Sequence, residues 1–531
     1  MVDVGKLGRV VIAEPFDERG VAVLSRAGIE VVSCVGSSRD VLHDALSGAR
    51  GLIVRSETRV DGELLSRAPQ LEVVARAGVG VDAIDVDAAT AAGIVVVNTP
   101  SANTIAATEH TFAMLLATLR HVPQAHASVR EARWERKPFV GNELYGKTLG
   151  IVGLGRIGSN VASRAAAFGM HVIAHDPYVP ASRASALGVD LVELDRLLGA
   201  ADIVTLHVPL TPQTRGLIDA RALALLKPSA VLVNCARGGV VDAAALIEAL
   251  DARRLQAAAV DVVPEEPPPE GSSSANVLAH PRVVATPHLG GSTHEALERI
   301  ALELAEDVVR VLGGRPASGA VNAPTLAGGA QAAGGFVDLA FRMGAMVPQL
   351  FEDALRREIA LVLHGDIAEL DAEPFVAAAL AGALPFMSDR RVSIVNAVSI
   401  ARDVGVRTMV VREGPRGPYR ASLAITVEEH RLVGTVLPNG PRIVEIDGFE
   451  VDAVADGTML VTRHRDVPGM VGRIGTILGN ANINISTMQV ARSERGGGAM
   501  MVLDVDREVE RQALAAIAEA DGIESVRLVQ V

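Results

Sequence analysis

The stretch LYGKTLGIVGLGRIGSNVASRAAAFGMHVIAHDPY, residues 144–178, decides how the rest of the chain is read. KTLGIVGLG is a short apolar run ending in glycines, the pattern of a buried parallel strand. RIGSNVASRAAAFG follows with Ile157, Val161 and Ala165 at helical spacing and Gly169 as the stop. Gly153, Gly155 and Gly158 therefore fall on a strand-to-helix turn. The first glycine permits the tight turn, the second lets a pyrophosphate approach the backbone, and the third lets helix and strand pack closely. The helix N-terminus then offers free N–H donors to the phosphates. A lone GxGxxG is weak evidence, but a second strand, MHVIAH, ends in Asp176, about 20 residues on, where a carboxylate takes both ribose hydroxyls. Asp176 repels a 2′-phosphate, and Pro177 and Tyr178 supply no arginine to attract one, so the expected cofactor is NAD rather than NADP.

Three later strand-like runs each end in a residue of catalytic type. AVLVNCARGG delivers Arg237, AAAVDVVPEEP delivers Asp261 and Glu266, and RVVATPHLGGST delivers His288. Loops after parallel strands line one crevice, so these side chains should converge beside the cofactor. A histidine can take the hydroxyl proton of a hydroxy acid while hydride leaves its carbon. Glu266 behind it would orient the ring and favour its protonated form. Arg237 can grip a carboxylate through two hydrogen bonds while polarising the reacting oxygen. Taken singly, each residue reads as well as a surface charge or a satisfied loop histidine; together, on consecutive strand ends, they read as a site. Cys235 beside Arg237 lacks a neighbouring base and reads as a small buried thiol, not a nucleophile.

Working outward, 531 residues exceed one hydrophobic core and point to about three or four domains. A mean hydropathy of +0.30 with 49% hydrophobic residues raises the question of a membrane protein, yet every apolar run is short or interrupted by charge. No signal peptide is visible in MVDVGKLGRVVIAEPF, and two cysteines make no disulfide framework, so a soluble cytoplasmic protein is expected. A net charge of −13 without a basic block argues against nucleic acid and membrane partners. No metal-ligand spacing stands out. RVVIAE, IEVVSC, GLIVRS, LEVVARAG and GIVVVN, alternating with helical stretches, predict a second parallel sheet ahead of the first glycine loop. AGVGVD is no second dinucleotide loop, since no third glycine follows.

The runs GLGRIG, LVNCARGGVVD, DVVPEEP and TPHLGGST resemble the D-isomer-specific 2-hydroxyacid dehydrogenases. The resemblance implies a Rossmann-like NAD domain, residues 103–289, inserted in a flavodoxin-like substrate domain made of 1–102 and 290–319. It also implies that Gly153, Gly155, Arg156, Ile157, Gly158, Asp176, Cys235, Ala236, Asp261, His288 and Gly290 meet the cofactor, with Arg237, Glu266 and His288 catalytic. GLIVRSETRV, VVARAGVGVD and NTPSANTIAATEH are similar to the D-3-phosphoglycerate dehydrogenase branch. On that likeness Arg55, Ser56 and Asn103 bind the distal phosphate of 3-phosphoglycerate, and the backbone at Gly78 and Val79 meets the carboxylate beside Arg237. Arg55 and Arg76 can also be read as strand-end surface charges. One departure is the 22-residue step from Glu266 to His288, about four residues longer than the family's, with the surplus at GSSSA expected as a floppy surface loop. Two alternatives stay open: an enzyme for an unphosphorylated acid, of the hydroxypyruvate or glyoxylate reductase type, and an NAD-sensing corepressor-like binding protein.

Beyond the alanine- and glycine-rich GAVNAPTLAGGAQAAGG, residues 320–456 loosely resemble the intervening domain of the branch's long form. Residues 457–531 read strand, helix, strand, hairpin, strand, helix, strand, a ferredoxin-like βαββαβ unit. Pro468 is expected at helix position N1, Val471, Ile474 and Leu478 on one buried face, and Gly479 at the stop. DVPGMVGRIGTIL with NINIS resembles an ACT-type amino-acid-binding domain. That implies an L-serine site at His464 and Asp466, in the loop before the first helix, and at Asn484 before the second strand. The plain alternative is a dimerisation module. A homo-oligomer, four copies by the resemblance, is expected.

Overall fold

The computed structural model describes residues 7–315, 317–324, 330–351, 358–494 and 496–531, without the side chains of 330–334. The alanine- and glycine-rich connection lies partly outside the described residues, as do the first residues of the N-terminal run.

Five short strands, β1 (Arg9–Ile12), β2 (Glu30–Ser33), β3 (Gly51–Val54), β4 (Val73–Arg76) and β5 (Val95–Val97), form an all-parallel sheet in the order β2-β1-β3-β4-β5. The five apolar runs are thus the parallel sheet expected of them, and the order is the flavodoxin-like one that the resemblance implied. The helix His294–Leu312 returns to this sheet late in the chain and buries Ile300, Leu304 and Val308 with Val10, Ile53 and Val73.

The second sheet holds β6 (Thr148–Val152), β7 (His171–His175), β8 (Asp190–Leu191), β9 (Ile203–Leu206), β10 (Val231–Asn234), β11 (Ala257–Val260) and β12 (Val283–Ala285). Its order, β12-β11-β10-β9-β6-β7-β8, reverses between β6 and β9, and ligands bind at such a switch point, outside the carboxyl ends of the strands. The glycine loop follows β6 directly and opens the helix Arg156–Ala167, which closes through Gly169 at φ 72°. Residues 273–279 correct the sequence reading: the serine-rich surplus is not a floppy loop but a helix, Ser273–Ala279. The Ser272 hydroxyl caps it by accepting from the Ala275 N–H, and Val277 is buried in the core of the sheet.

The C-terminal half carries a six-stranded sheet of β13 (Glu358–Gly365), β14 (Arg407–Glu413), β15 (Ala421–Val427), β16 (His430–Leu437), β17 (Gly440–Ile446) and β18 (Phe449–Val454), in the order β14-β13-β15-β16-β17-β18. The last sheet, β19 (Thr458–Arg465), β20 (Ile485–Arg492), β21 (Gly498–Val505) and β22 (Ile523–Gln530), is antiparallel in the order β20-β21-β19-β22, the ferredoxin-like arrangement. Its first helix starts at Met470 after Gly469, so Pro468 lies before the helix rather than at N1, and the helix runs on to Asn480 past Gly479. Met470, Ile474 and Leu478 form its buried face, one residue round from the expected stripe; Val471 points to solvent. The opposite face of that sheet, with Met459, Val461, Met500 and Val529, shares one core with Leu339, Leu361 and Ile425 of the preceding unit. Among the described residues no helix is long and apolar enough to cross a membrane.

A Cβ on Gly158 would lie 2.0 Å from the Gly153 carbonyl oxygen, so helix and strand touch there backbone to backbone. Gly158→Ala is expected to cost about 1–3 kcal/mol, the range for overpacking a filled contact. Calorimetric unfolding checks it, and an unchanged transition for the variant would contradict the contact.

Candidate active site

The carboxyl ends of the first two sheets face each other across a cleft of about 580 Å³. From the first sheet come Arg55 and Ser56 after β3, and Arg76, Gly78 and Val79 at the end of β4. From the second come Arg237, Asp261, Glu266 and His288, and Asn103 enters at the start of the helix Thr104–Leu119. The substrate and catalytic residues expected from sequence thus line one space.

His288 Nδ1 lies 2.6 Å from Glu266 Oε2, while Glu266 Oε1 accepts the Val263 N–H at 3.1 Å. The added helix therefore leaves the Glu–His pair intact. His288 adopts a left-handed φ of 55°, unusual outside glycine and a strain that only surrounding contacts can hold. Asp261 supplies them. Its carbonyl accepts the His288 N–H, and its side chain, 2% exposed, accepts from Thr286 Oγ1 at 2.6 Å, Leu289 N at 2.8 Å and Gly290 N at 2.9 Å. The His110 ring nitrogen Nε2 completes the set at 3.1 Å. Burial alone would push the Asp261 pKa up, but the hydrogen bonds from His110, Thr286 and Leu289 outweigh it and hold the carboxyl below its usual range. The Cys235 thiol is pushed up to about 12 by burial and the nearby Asp261 charge, so it stays protonated.

Arg237 is aimed by its own turn. Asn234 donates to the Arg237 carbonyl and accepts from Ala236 N, Arg237 Nη1 donates to the Ala236 carbonyl, and Nε pairs with Asp82 at 3.0 Å. The glycines of AGVGVD have a steric reason: a Cβ at Gly78 would fall 1.5 Å from Arg76 Nη1, and one at Gly80 2.0 Å from Arg237 Nη2. Arg76 is no surface charge. It lines the cleft with Nε buried and unpartnered among the described residues, and its pKa is pulled down to about 10 by burial and by the charges of Arg237 and Arg55.

The glycine loop suits a dinucleotide. Gly153 has φ 94°, and a Cβ there would meet the His207 carbonyl at 2.6 Å; at Gly155 nothing lies within 4 Å, leaving its backbone open to a pyrophosphate. No side chain caps the helix that begins at Arg156, with Ile157 half-buried behind it, so its first N–H groups remain available. Asp176 closes β7 with Oδ2 on the Leu154 N–H of that loop and Oδ1 on Tyr178 N. Cys235, Ala236 and Gly290 follow β10 and β12 at the same edge.

In the terminal unit, His464 sits on β19 rather than in the following loop, 2% exposed, and burial lowers its pKa. Asp466 accepts from Gly496 N and Arg492, whereas Asn484 is exposed. Among the described residues no hydrogen bond joins the three side chains. Glu14, Arg76, His110, Asn234 and Thr286 escaped the sequence reading. Arg76 carried the strand-end signal that picked out Arg55; His110 lies inside a mostly apolar helix and carried none.

Three family models match: the NAD-binding domain of D-isomer specific 2-hydroxyacid dehydrogenases over residues 112–290, the D-3-phosphoglycerate dehydrogenase intervening domain over 333–447, and the ACT domain over 458–522. The D-3-phosphoglycerate dehydrogenase of Synechocystis sp. is 40% identical, covering 99% of this chain and 95% of its own. That of Bacillus subtilis is also 40% identical, covering 98% and 99%. Among solved structures, the TT0316 protein of Thermus thermophilus superposes with a TM-score of 0.55 at 38% identity, over 59% of this chain and 99% of its own. With such identity along nearly its whole length, the chain belongs to the D-3-phosphoglycerate dehydrogenase branch of the D-isomer specific 2-hydroxyacid dehydrogenase family.

Proposed function

We propose that this protein oxidises D-3-phosphoglycerate with NAD to 3-phosphohydroxypyruvate, the first step of L-serine biosynthesis. The observation that carries the reading is the cleft itself, where a Glu–His pair and three arginines surround one space beside an open glycine loop. NAD, when bound, supplies the hydride acceptor. Gly153, Gly155, Gly158 and the first turn starting at Arg156 and Ile157 hold its pyrophosphate, and Asp176 its ribose.

His288 is the general base. With Nδ1–H donating to Glu266, Nε2 is the nitrogen left to take the C2 hydroxyl proton as hydride leaves C2, and Glu266 goes on accepting from the imidazolium. Arg237 and the backbone at Gly78 and Val79 receive the carboxylate, and Arg237 also polarises the C2 oxygen. Arg55, Ser56 and Asn103 receive the phosphate. Asp261 acts through others, setting the turn that carries His288 and Gly290. The terminal unit serves as the effector site for L-serine, with Asp466 toward the ammonium and Asn484 beside it, and exposed Trp134, Val140 and Tyr145 support a homo-oligomer.

NADH formation measured with 3-phosphoglycerate beside D-lactate tests the substrate. His288→Ala is expected to lower kcat by about 100-fold or more with NADH binding retained, the scale of a general base. Arg237→Lys is expected to be a poor replacement because one compact charge replaces a planar fork, so near-normal kcat/KM would remove the bidentate role. Asp176→Ala should narrow the preference for NAD over NADP, and an unchanged ratio of the two kcat/KM values would refute the ribose contact. For the effector, calorimetric titration with L-serine alongside turnover is expected to show saturable binding and inhibition, a coupling of about 1–3 kcal/mol, both lost in Asp466→Ala; wild type that does not bind serine would leave the unit an assembly module.

A further inference from the structure

Glu14 takes no part in the proton or hydride chemistry, yet it is a buried acid at the floor of the cleft. It follows β1 and is 6% exposed. Its Oε1 accepts from Arg55 N at 2.8 Å and Thr58 N at 2.9 Å, and its Oε2 from Ser56 N at 3.1 Å and Glu57 N at 3.2 Å. Four successive backbone N–H groups after β3 converge on one carboxylate. An ionised carboxylate offers about four lone-pair sites and no donor, so this arrangement uses it completely. A glutamine of the same shape offers one oxygen and turns an NH₂ group toward N–H groups.

The second observation is electrostatic. Arg76, crowded by Arg237 and Arg55, has Glu14 and Asp82 as the opposing charges that favour its ionised form. Burial would push the Glu14 pKa up, but the N–H groups of Thr58, Arg55 and Glu57 outweigh it and keep the carboxyl below its usual range, so it remains an anion in neutral solution.

We infer that Glu14 is a positioning residue for the substrate's phosphate: it shapes the Arg55–Thr58 loop so that Arg55 and Ser56 face the cleft, and supplies the fixed negative charge that lets Arg55 and Arg76 stand together. Selectivity for a phosphorylated over an unphosphorylated hydroxy acid then depends on a residue that touches neither the phosphate nor the reacting carbon. The inference rests on the reading of the substrate as a phosphorylated hydroxy acid.

The experiment compares 3-phosphoglycerate with D-glycerate, NAD saturating, for wild type, Glu14→Gln, Glu14→Asp, Arg55→Ala and the Glu14→Gln/Arg55→Ala pair. Glu14→Gln is expected to raise KM for 3-phosphoglycerate about 10-fold or more, with kcat and the kcat/KM for D-glycerate changed by less than about 3-fold. Because Glu14 acts mainly through Arg55 and otherwise through Ser56 and Arg76 of the same site, adding Glu14→Gln to Arg55→Ala should raise KM by a smaller factor than Glu14→Gln does in the wild type. Glu14→Asp keeps the charge and all four acceptor sites and is expected to retain part of the selectivity; it carries the comparison if the glutamine variant does not fold. Equal losses on both acids in every folded variant, or losses that multiply in the double variant, would overturn the inference while leaving the function intact. Wild type that oxidises the two acids with equal kcat/KM, or neither, would overturn the reading of the substrate and the inference with it.

Discussion

Crowding of positive charge into one half-buried cleft is the constraint on which the rest of the structure depends. Arg55, Arg76 and Arg237 line the same space, where burial first and then the charges of Arg237 and Arg55 pull the Arg76 pKa down. A substrate with two anionic ends calls for such a cluster, but the protein must fold without it. Each neighbouring feature answers that need. Gly78 and Gly80 clear the volume that two guanidinium groups occupy, Asp82 pairs with Arg237, and Glu14 places a buried charge below the loop of Arg55. Parallel strands make the cluster possible, because every one delivers its carboxyl end to the same edge.

The chemistry on the other wall hangs on Asp261. An unpaired buried carboxylate would be costly, and this one is satisfied by two side chains and two backbone N–H groups of the turn after β12. The same bonds hold His288 in a left-handed conformation that an isolated loop would abandon. They also tie the turn to His110 on the helix Thr104–Leu119, so His288 is braced against the element that joins the two sheets.

The C-terminal half is one packed body as far as its core is concerned, since the last sheet buries its inner face with the helix Ala330–Leu350 and the six-stranded sheet. It also touches the first sheet. Arg391 donates to the Leu71 carbonyl and lies 3.9 Å from Glu72, which forms a two-pronged pair with Arg50. Arg50 and Glu72 precede β3 and β4, the strands whose far ends carry Arg55 and Arg76.

By itself the sequence determined the elements and the chemistry that local pattern encodes. Short apolar runs alternating with helical stretches pointed to both parallel sheets, GLGRIG and Asp176 to a dinucleotide turn, and strand-end Arg237, Glu266 and His288 to hydride chemistry on a hydroxy acid. Where a local signal was ambiguous, tertiary contacts decided it. The serine-rich insert became a helix because Ser272 caps it and Val277 finds a core; Met470 replaced Val471 on the buried face because the terminal helix starts two residues after Pro468. His110 and Glu14 joined the candidate site only through partners distant along the chain, Asp261 and the Arg55–Thr58 loop, and Arg76, which ends its strand as Arg55 follows its own, was set apart from a surface charge only by burial beside Arg237 and Arg55. Hydrogen-bond saturation and charge repulsion depend on distances in space, and no spacing along a chain records those.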